Sequence, residues 1–430
     1  MRVFIKQLII YSKYIHYSKN IHTRHLTKVI SADHITQLNE GTLTGRLLIY
    51  LNNTYQPVIA DETIELLNIL KRKGTNKLEK CSTKQMISVL NLLSNRDHIK
   101  DRYEIVQVLN VLDNEFCRRL TQLGTKDKLR ILYIYMNILP NRIVQCRYYD
   151  AALKELFSRS ETLDKKDLCQ LIFYIGLRKK ARKSQYMLRQ CIKLFNSTFI
   201  NNLTTEEICL ICNSTFKTST KINNEAFLNK VINCLNDNLY LLKDPAFFIT
   251  LIKTVRHNRY QNEDLLATIS CTIFFNATVK YYSFSALCHI LALYCDYLYY
   301  DPYLIKVFTV RCIEQLKSSD YTSKHAYLIE QPRVKDIKRF LWCLSNANYK
   351  NLEANDIKNV IIPNIMKRQE AGEFKDDFAT LIDFMLYFWM LNYRAYELVP
   401  YALTQESIQF IRGIYVFYSV LSNIRVRQMF

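Results

Sequence analysis

Glycine and proline are scarce, with seven of each in 430 residues. Sheet-rich folds place these residues in their turns, so the shortage argues for helices. It also removes the loops that cradle phosphates: neither G-x-G-x-x-G nor G-x-x-x-x-G-K-[ST] occurs, which excludes the Walker and Gly-loop kinase classes. H-E-x-x-H and G-x-S-x-G are missing too, and half of the eight histidines fall within the first thirty-five residues. No hydrolase site can be traced, and the expectation is a protein that is not an enzyme and carries no cofactor. The thirteen cysteines lie mostly in apolar periodic segments such as residues 341–344 and are read as buried reduced thiols. Cys209 and Cys212 form one Cys-x-x-Cys without a second pair at zinc-finger spacing. One helical turn puts two small core thiols at that separation, so no metal site is read there.

Long apolar runs are absent as well. Asp296, Asp383 and similar charges interrupt each candidate for the ~18 uninterrupted apolar residues of a membrane span, so none is expected. Acidic residues are missing before Asp33, where Arg2, Lys6, Lys13, Lys19, Arg24 and Lys28 stand among Val3, Phe4, Ile5, Leu8, Ile9 and Ile10. On a helix these form a basic amphipathic face, the pattern of a mitochondrial transit peptide, and residues 1–24 are assigned that role with the matrix as destination. A secretory signal would need a continuous apolar stretch of about 7–15 residues, which is not there.

What is abundant is apolar residues, 49% of the chain, and positive charge, a formal +20 with a pI near 9.3. Such an excess draws a protein to polyanions through counterion release. The plentiful Lys, Asn, Ile and Tyr also suit an A/T-rich codon bias, which raises lysine counts without any binding role. The length exceeds a common single domain, so the chain is multidomain or a repeat array.

Periodicity favours the array. A recurring helix-start phrase has its first apolar anchors at Met86, Leu129, Leu168, Ile208, Phe247, Leu287, Ile337 and Leu381, with steps of 43, 39, 40, 39, 40, 50 and 44. The longest step holds the polar stretch Lys317 to Gln331, read as a loop insertion. Each phrase is followed by a second amphipathic segment, as in residues 150–157, 185–195, 226–235 and 264–274. Thr204 to Glu207 supply a capping hydroxyl and first-turn acids, and Asp244-Pro245 marks another start. A lone hairpin cannot bury its apolar stripe, so neighbours must stack and share a core. The expected fold is an all-α solenoid of about eight helical-hairpin repeats of roughly 39–44 residues, degenerate over residues 35–334 and followed by a helical segment over 335–430.

Bases gather where the first helix of a unit gives way to the second. The junctions carry Arg96; Arg142 and Arg147; Arg178, Lys179, Lys180, Arg182 and Lys183; Lys217 and Lys221; and Arg256 and Arg259. Equivalent positions of successive repeats line up, so these residues would form a positive column suited to a ribose-phosphate backbone. Tyr186 and Tyr260 beside them could stack on unpaired bases, as single-stranded RNA is held. The bland alternative is that hairpin loops are solvated and that bases at helix C-termini complement the dipole. Asp296, Tyr297 and Asp301 break the column in the next repeat.

Residues 336–349 read Asp-Ile-Lys-Arg-Phe-Leu-Trp-Cys-Leu-Ser-Asn-Ala-Asn-Tyr, and residues 377–393 end Trp-Met-Leu-Asn-Tyr. This resembles the FAST leucine-rich segment of the FAST kinase domain-containing family, in which a helix with a Leu-Trp pair ends in an Asn-Tyr-like turn. The resemblance implies binding of single-stranded mitochondrial RNA, roles in processing or stabilising organellar transcripts or in mitoribosome assembly, and mitoribosome or RNA-granule proteins as partners. It implies no kinase. Members usually end in a RAP domain, and this sequence stops at Phe430, too soon after the leucine-rich segment to hold one. Two other readings remain at this level: a mitochondrial protein-interaction scaffold whose charge follows codon bias, and an organellar DNA binder of the transcription-termination type, which expects units nearer thirty residues.

Overall fold

The computed structural model describes residues 30, 35–36, 38–57, 63–73, 78, 81–94, 102–238, 245–276, 279, 282–318, 332–373 and 378–405. The import segment, Arg96 and most of the inserted stretch, residues 319–331, lie outside them. All regular structure among the described residues is helical, without a strand, in an all-α helical-repeat fold. In chain order the helices are α1 (Leu43–Leu51), α2 (Thr63–Lys73), α3 (Thr83–Ser94), α4 (Arg102–Arg118), α5 (Thr125–Ile138), α6 (Arg147–Ser158), α7 (Lys165–Leu177), α8 (Arg182–Lys193) and the short α9 (Ser197–Asn201). They continue with α10 (Thr205–Thr218), α11 (Glu225–Asn238), α12 (Pro245–Asn258), α13 (Glu263–Asn276), α14 (Phe284–Asp296), α15 (Pro302–Ser318) and α16 (Val334–Asn346). The helix α17 starts at Ala354–Asp356, passes through a π-helical turn at Ile357–Ile361 and ends with Ile362–Glu370; α18 (Phe378–Met390) and α19 (Val399–Ala402) follow.

Seven of the eight anchors are buried, and Phe247 is half-buried. Each opens the first helix of a pair. First and second helices differ in a way that explains why the pairs stack. In α7 every residue from Asp167 to Gly176 is buried, and so is every residue of α14 from Phe284 to Tyr294. Helices covered on all sides belong to the middle of a layered packing. In α8 only Ser184, Met187, Leu188, Cys191 and Ile192 are buried, a single i, i+3, i+4, i+7, i+8 stripe that faces the core. Local starts agree with the sequence: Thr204 and Glu207 form a reciprocal capping box, and Asp164, Ser283 and Asp301 accept from backbone N–H groups three residues on.

Six of the first helices, from α7 onward, also end alike. Lys180, Ser219, Arg259, Leu298, Asn348 and Asn392 all have positive φ, between 49° and 61°, at 11 or 12 residues after an anchor. In five of them the next residue donates its N–H to the carbonyl five positions back: Thr220 to Thr215, Tyr260 to Val255, Tyr299 to Tyr294, Tyr349 to Leu344 and Tyr393 to Phe388. These are Schellman closures, which satisfy carbonyls the helix end leaves open. Only Lys180 differs, giving its N–H to Lys217 O of the next pair at 3.2 Å.

The described chain divides into two compact units, one holding residues of 20–235 with 253–260, the other those of 236–252 and 261–430. In the first, α7 and α10 approach so closely that a Cβ on Gly176 would lie 2.8 Å from Ser214 Cα. Successive pairs are joined by ion pairs at matching positions: Lys126 Nζ to Asp167 Oδ1 at 2.7 Å, then Lys165 Nζ to Glu207 Oε2 at 2.7 Å.

An element not read from the sequence crosses this unit. The segment from α1 to Tyr55 lies against four successive first helices. Thr44 meets Lys217 and Tyr50 meets Thr204 on α10, Leu51 O accepts from Gln170 on α7, and Tyr55 sits edge-on to Tyr133 of α5 and donates to Asn91 of α3. Leu47, Leu48 and Leu51, at most 2% exposed, hold it there at ~1.5–3 kcal/mol per side chain. The sequence counts residues from 35 as repeat; here they form a strap over the repeats. In the second unit, buried Asp336 is held between Arg333 and Arg339, and buried Arg368 donates to Pro332 O and Asn364 O.

Candidate nucleic-acid interface

The basic junctions from Arg142 to Arg259 all fall in the first unit, and each is bonded to the next. Arg178 donates to Val144 O at 3.2 Å, Lys180 N–H to Lys217 O, Gln185 to Thr218 O at 2.8 Å, and Ile222 N–H to Asn258 Oδ1 at 2.7 Å. Stacking of the pairs thus brings four junctions, far apart in sequence, into one row.

Within the row the bases differ in what they do. Arg142, Lys179, Lys180, Arg182, Lys183, Lys221 and Arg259 are exposed, and among the described residues none of these seven side chains forms an ion pair. Arg147 is exposed and donates to Asn114 Oδ1 at 2.9 Å. Arg178 is half-buried, paired with Asp150 Oδ1 at 2.5 Å and set over the Tyr149 ring at 5.5 Å. It is a structural arginine as well as a junction base. Lys217 is mostly buried beneath α1, its ammonium 2.9 Å from Thr44 Oγ1. Burial first, and then Lys179, lower its pKa from 10.5 to about 8. Burial and then Arg259 lower that of Lys221, and burial followed by Lys221 lowers that of His257. The secondary cause in all three is a like charge from the same row. Arg256, half-buried, sits in the last turn of α12.

The helix ends bear on both sequence readings of these charges. Arg147 is the first residue of α6, and Arg182 and Lys183 are the first two of α8. The α8 start has no acid in its first turn and no side-chain cap, with Ala181 at the N-cap. A helix N-terminus carries partial positive charge, so bases there oppose the dipole. Arg256 and Lys217 lie in the last turns of α12 and α10, and Arg178 is the C-cap of α7, places where a base complements the dipole.

Of the aromatics, Tyr186 is exposed and edge-on to Phe157 at 6.0 Å. Tyr260 is half-buried; its hydroxyl donates to Asn229 Oδ1 at 2.6 Å, and its backbone N–H makes the Schellman closure. The sequence reading missed Phe216. It is exposed beside Lys217, with the Lys253 ammonium over its ring at 5.7 Å and His257 edge-on at 6.0 Å. Its place in the last turn of an apolar helix resembles that of a core residue, and only the turn-by-turn count from Ile208 could have put it outside.

Cys209 and Cys212 are both fully buried, and burial raises the Cys212 thiol to about 12. The described cysteines form no disulfide, and no cluster of three or more metal-ligating side chains occurs among the described residues. No described helix is long and apolar enough to cross a membrane. No family model matches the chain and no curated protein matches it, so the likeness to the FAST leucine-rich segment rests on residues 336–349 and 377–393 alone.

Proposed function

We propose that the chain is a mitochondrial RNA-binding helical-repeat protein, a binding platform and not an enzyme. Its basic row takes the ribose-phosphate backbone of single-stranded transcripts in organellar RNA processing, stability or mitoribosome assembly. The observation that carries this reading is the placement of Arg182 and Lys183 at the N-terminus of α8, which has no first-turn acid and no side-chain cap, so that the dipole opposes them. Solvation of hairpin loops and complementing of the dipole both favour bases at C-termini, so neither accounts for this pair. Bases retained against the dipole await a counter-anion, and phosphate is the anion that also suits exposed backbone N–H groups. The compartment is supported by the acid-free, basic residues 1–24 and by the family resemblance.

Changing Arg178, Lys179, Lys180, Arg182 and Lys183 together to Ser tests the row. Affinity for an oligoribonucleotide is expected to fall, and the dependence of log K on log salt to become shallower by ~0.7 for each phosphate that the row no longer neutralises. Titration at several salt concentrations reads both. An unchanged affinity and slope would leave the scaffold reading in its place.

A further inference from the structure

The repeat register that places Lys180 and Arg259 at first-helix ends places Leu298 and Asn348 at the equivalent ends in the second unit. There the chemistry changes. Leu298, Tyr299, Tyr300 and Tyr303 stand 92%, 43%, 59% and 50% exposed within six residues, an apolar cluster of the kind that marks binding surfaces. The Schellman closure at Leu298 fixes the backbone from which they project, with Tyr299 N–H bound to Tyr294 O at 3.0 Å. Facing them is the α16–α17 junction, closed the same way by Tyr349 N–H to Leu344 O at 3.0 Å. Between the two lies an open groove of about 760 Å³, lined by Tyr300, Tyr303, Lys306, Asn348, Lys350 and Asn351, with buried Tyr349 beneath. Among the described residues no carboxylate lines it.

We propose that this groove holds bases of single-stranded RNA, a second contact site distinct from the basic row. It takes RNA as its ligand on the reading above, but its chemistry is argued from the groove alone. Exposed phenol rings stack on any base, because every base has a π-face. The amides of Asn348 and Asn351 can both donate and accept, which suits base edges splayed from a single strand. Lys306 and Lys350 supply the charge that tracks the linking phosphates. The groove is open to solvent, which fits a passing strand better than an enclosed mononucleotide. A proline-rich peptide also seeks aromatic-lined grooves, yet has no use for two ammonium groups.

Two full-length variants, Tyr300→Ala with Tyr303→Ala and Tyr300→Phe with Tyr303→Phe, separate the possibilities. Both tyrosines are at least half exposed, and thermal unfolding of each pair checks that the fold is kept. The probes are a twelve-nucleotide oligouridylate and an inorganic polyphosphate of similar length. The Ala pair is expected to bind the oligouridylate about tenfold more weakly, a change of ~1.4 kcal/mol, with polyphosphate binding unchanged, while the Phe pair binds both as the parent does. Unchanged oligouridylate affinity in the Ala pair overturns the groove and leaves the basic row standing. Equal losses for both probes overturn it too, since the loss is then not of bases. Loss of a proline-rich decapeptide with the oligouridylate unaffected assigns the groove to peptide and also overturns it. The five-residue Ser variant at Arg178 to Lys183 reports on the row independently: if it binds normally while the Ala pair does not, the row fails and the groove stands.

Discussion

Lys217 sits at the end of α10 with its stem among apolar neighbours and its ammonium against the Thr44 hydroxyl. Its pKa in the fold, about 8, lies below the ordinary 10.5, through burial and then the nearby Lys179. The unfolded chain therefore holds the extra proton between about pH 8 and 10.5, and this group's contribution to stability rises across that window. Below pH 8 the charged ammonium imposes its whole penalty on the folded state. Lys217→Met keeps the stem and removes the charge, so it is expected to stabilise the protein at pH 7 by ~1–3 kcal/mol. That advantage should shrink markedly by pH 10. Urea unfolding of both proteins at the two pH values checks this, and an equal difference at both would show that the ammonium is well solvated. In sequence Lys217 looks like any other junction base; its burial comes from α1, more than 160 residues away.

At the scale of the element, the six positive-φ residues define how a first helix stops. Asn at 348 and 392 tolerates the left-handed region, as short polar side chains do. Leu298 does not, and its 92% exposed side chain gains no burial in return. Leu298→Gly is expected to raise stability by ~1 kcal/mol, from relief of left-handed strain partly offset by the entropy of glycine. Thermal unfolding reads this as a higher midpoint, and a lowered midpoint would mean that Leu298 packs in solution. These ends were partly legible. The Asn-Tyr pairs at 348–349 and 392–393 are visible in the sequence as a turn phrase, and the structure adds Arg259-Tyr260 and Leu298-Tyr299 to the same class. The chain seldom uses glycine here, so the usual mark of a helix end is missing, and only the hydrogen bonds identify it.

For the molecule, the coupling between pairs matters most, because stacked repeats take stability from their interfaces. Glu207 joins one such interface to a helix start: it completes the capping box of α10 with Thr204 and receives Lys165 of the preceding pair while itself only 5% exposed. Glu207→Ala removes the carboxylate that accepts from Thr204 N–H, keeps the Thr204 hydroxyl cap, and leaves Lys165 with Asn202 O as its remaining partner, at an expected cost of ~2–4 kcal/mol. Urea unfolding followed by circular dichroism should show an earlier and broader transition, as the pairs on either side of that interface lose cooperativity. A midpoint equal to the parent's would show that the interface is held by apolar packing alone.

The sequence by itself determined the repeat, since apolar spacing at 3.6 residues per turn and a step near forty leave a chain no other way to bury its stripes. It determined as well which junctions are rich in bases. Only the tertiary structure decided the polarity of those bases against the helix dipoles, the burial of Lys217 and Arg178, and the exposure of Phe216. It alone decided that residues 43–55 lie across four pairs as a strap and that tyrosines of two neighbouring junctions in the second unit face one groove. Each of these depends on contacts between residues a full repeat or more apart. Local periodicity constrains the face a residue takes on its own helix, but not the helix it will meet.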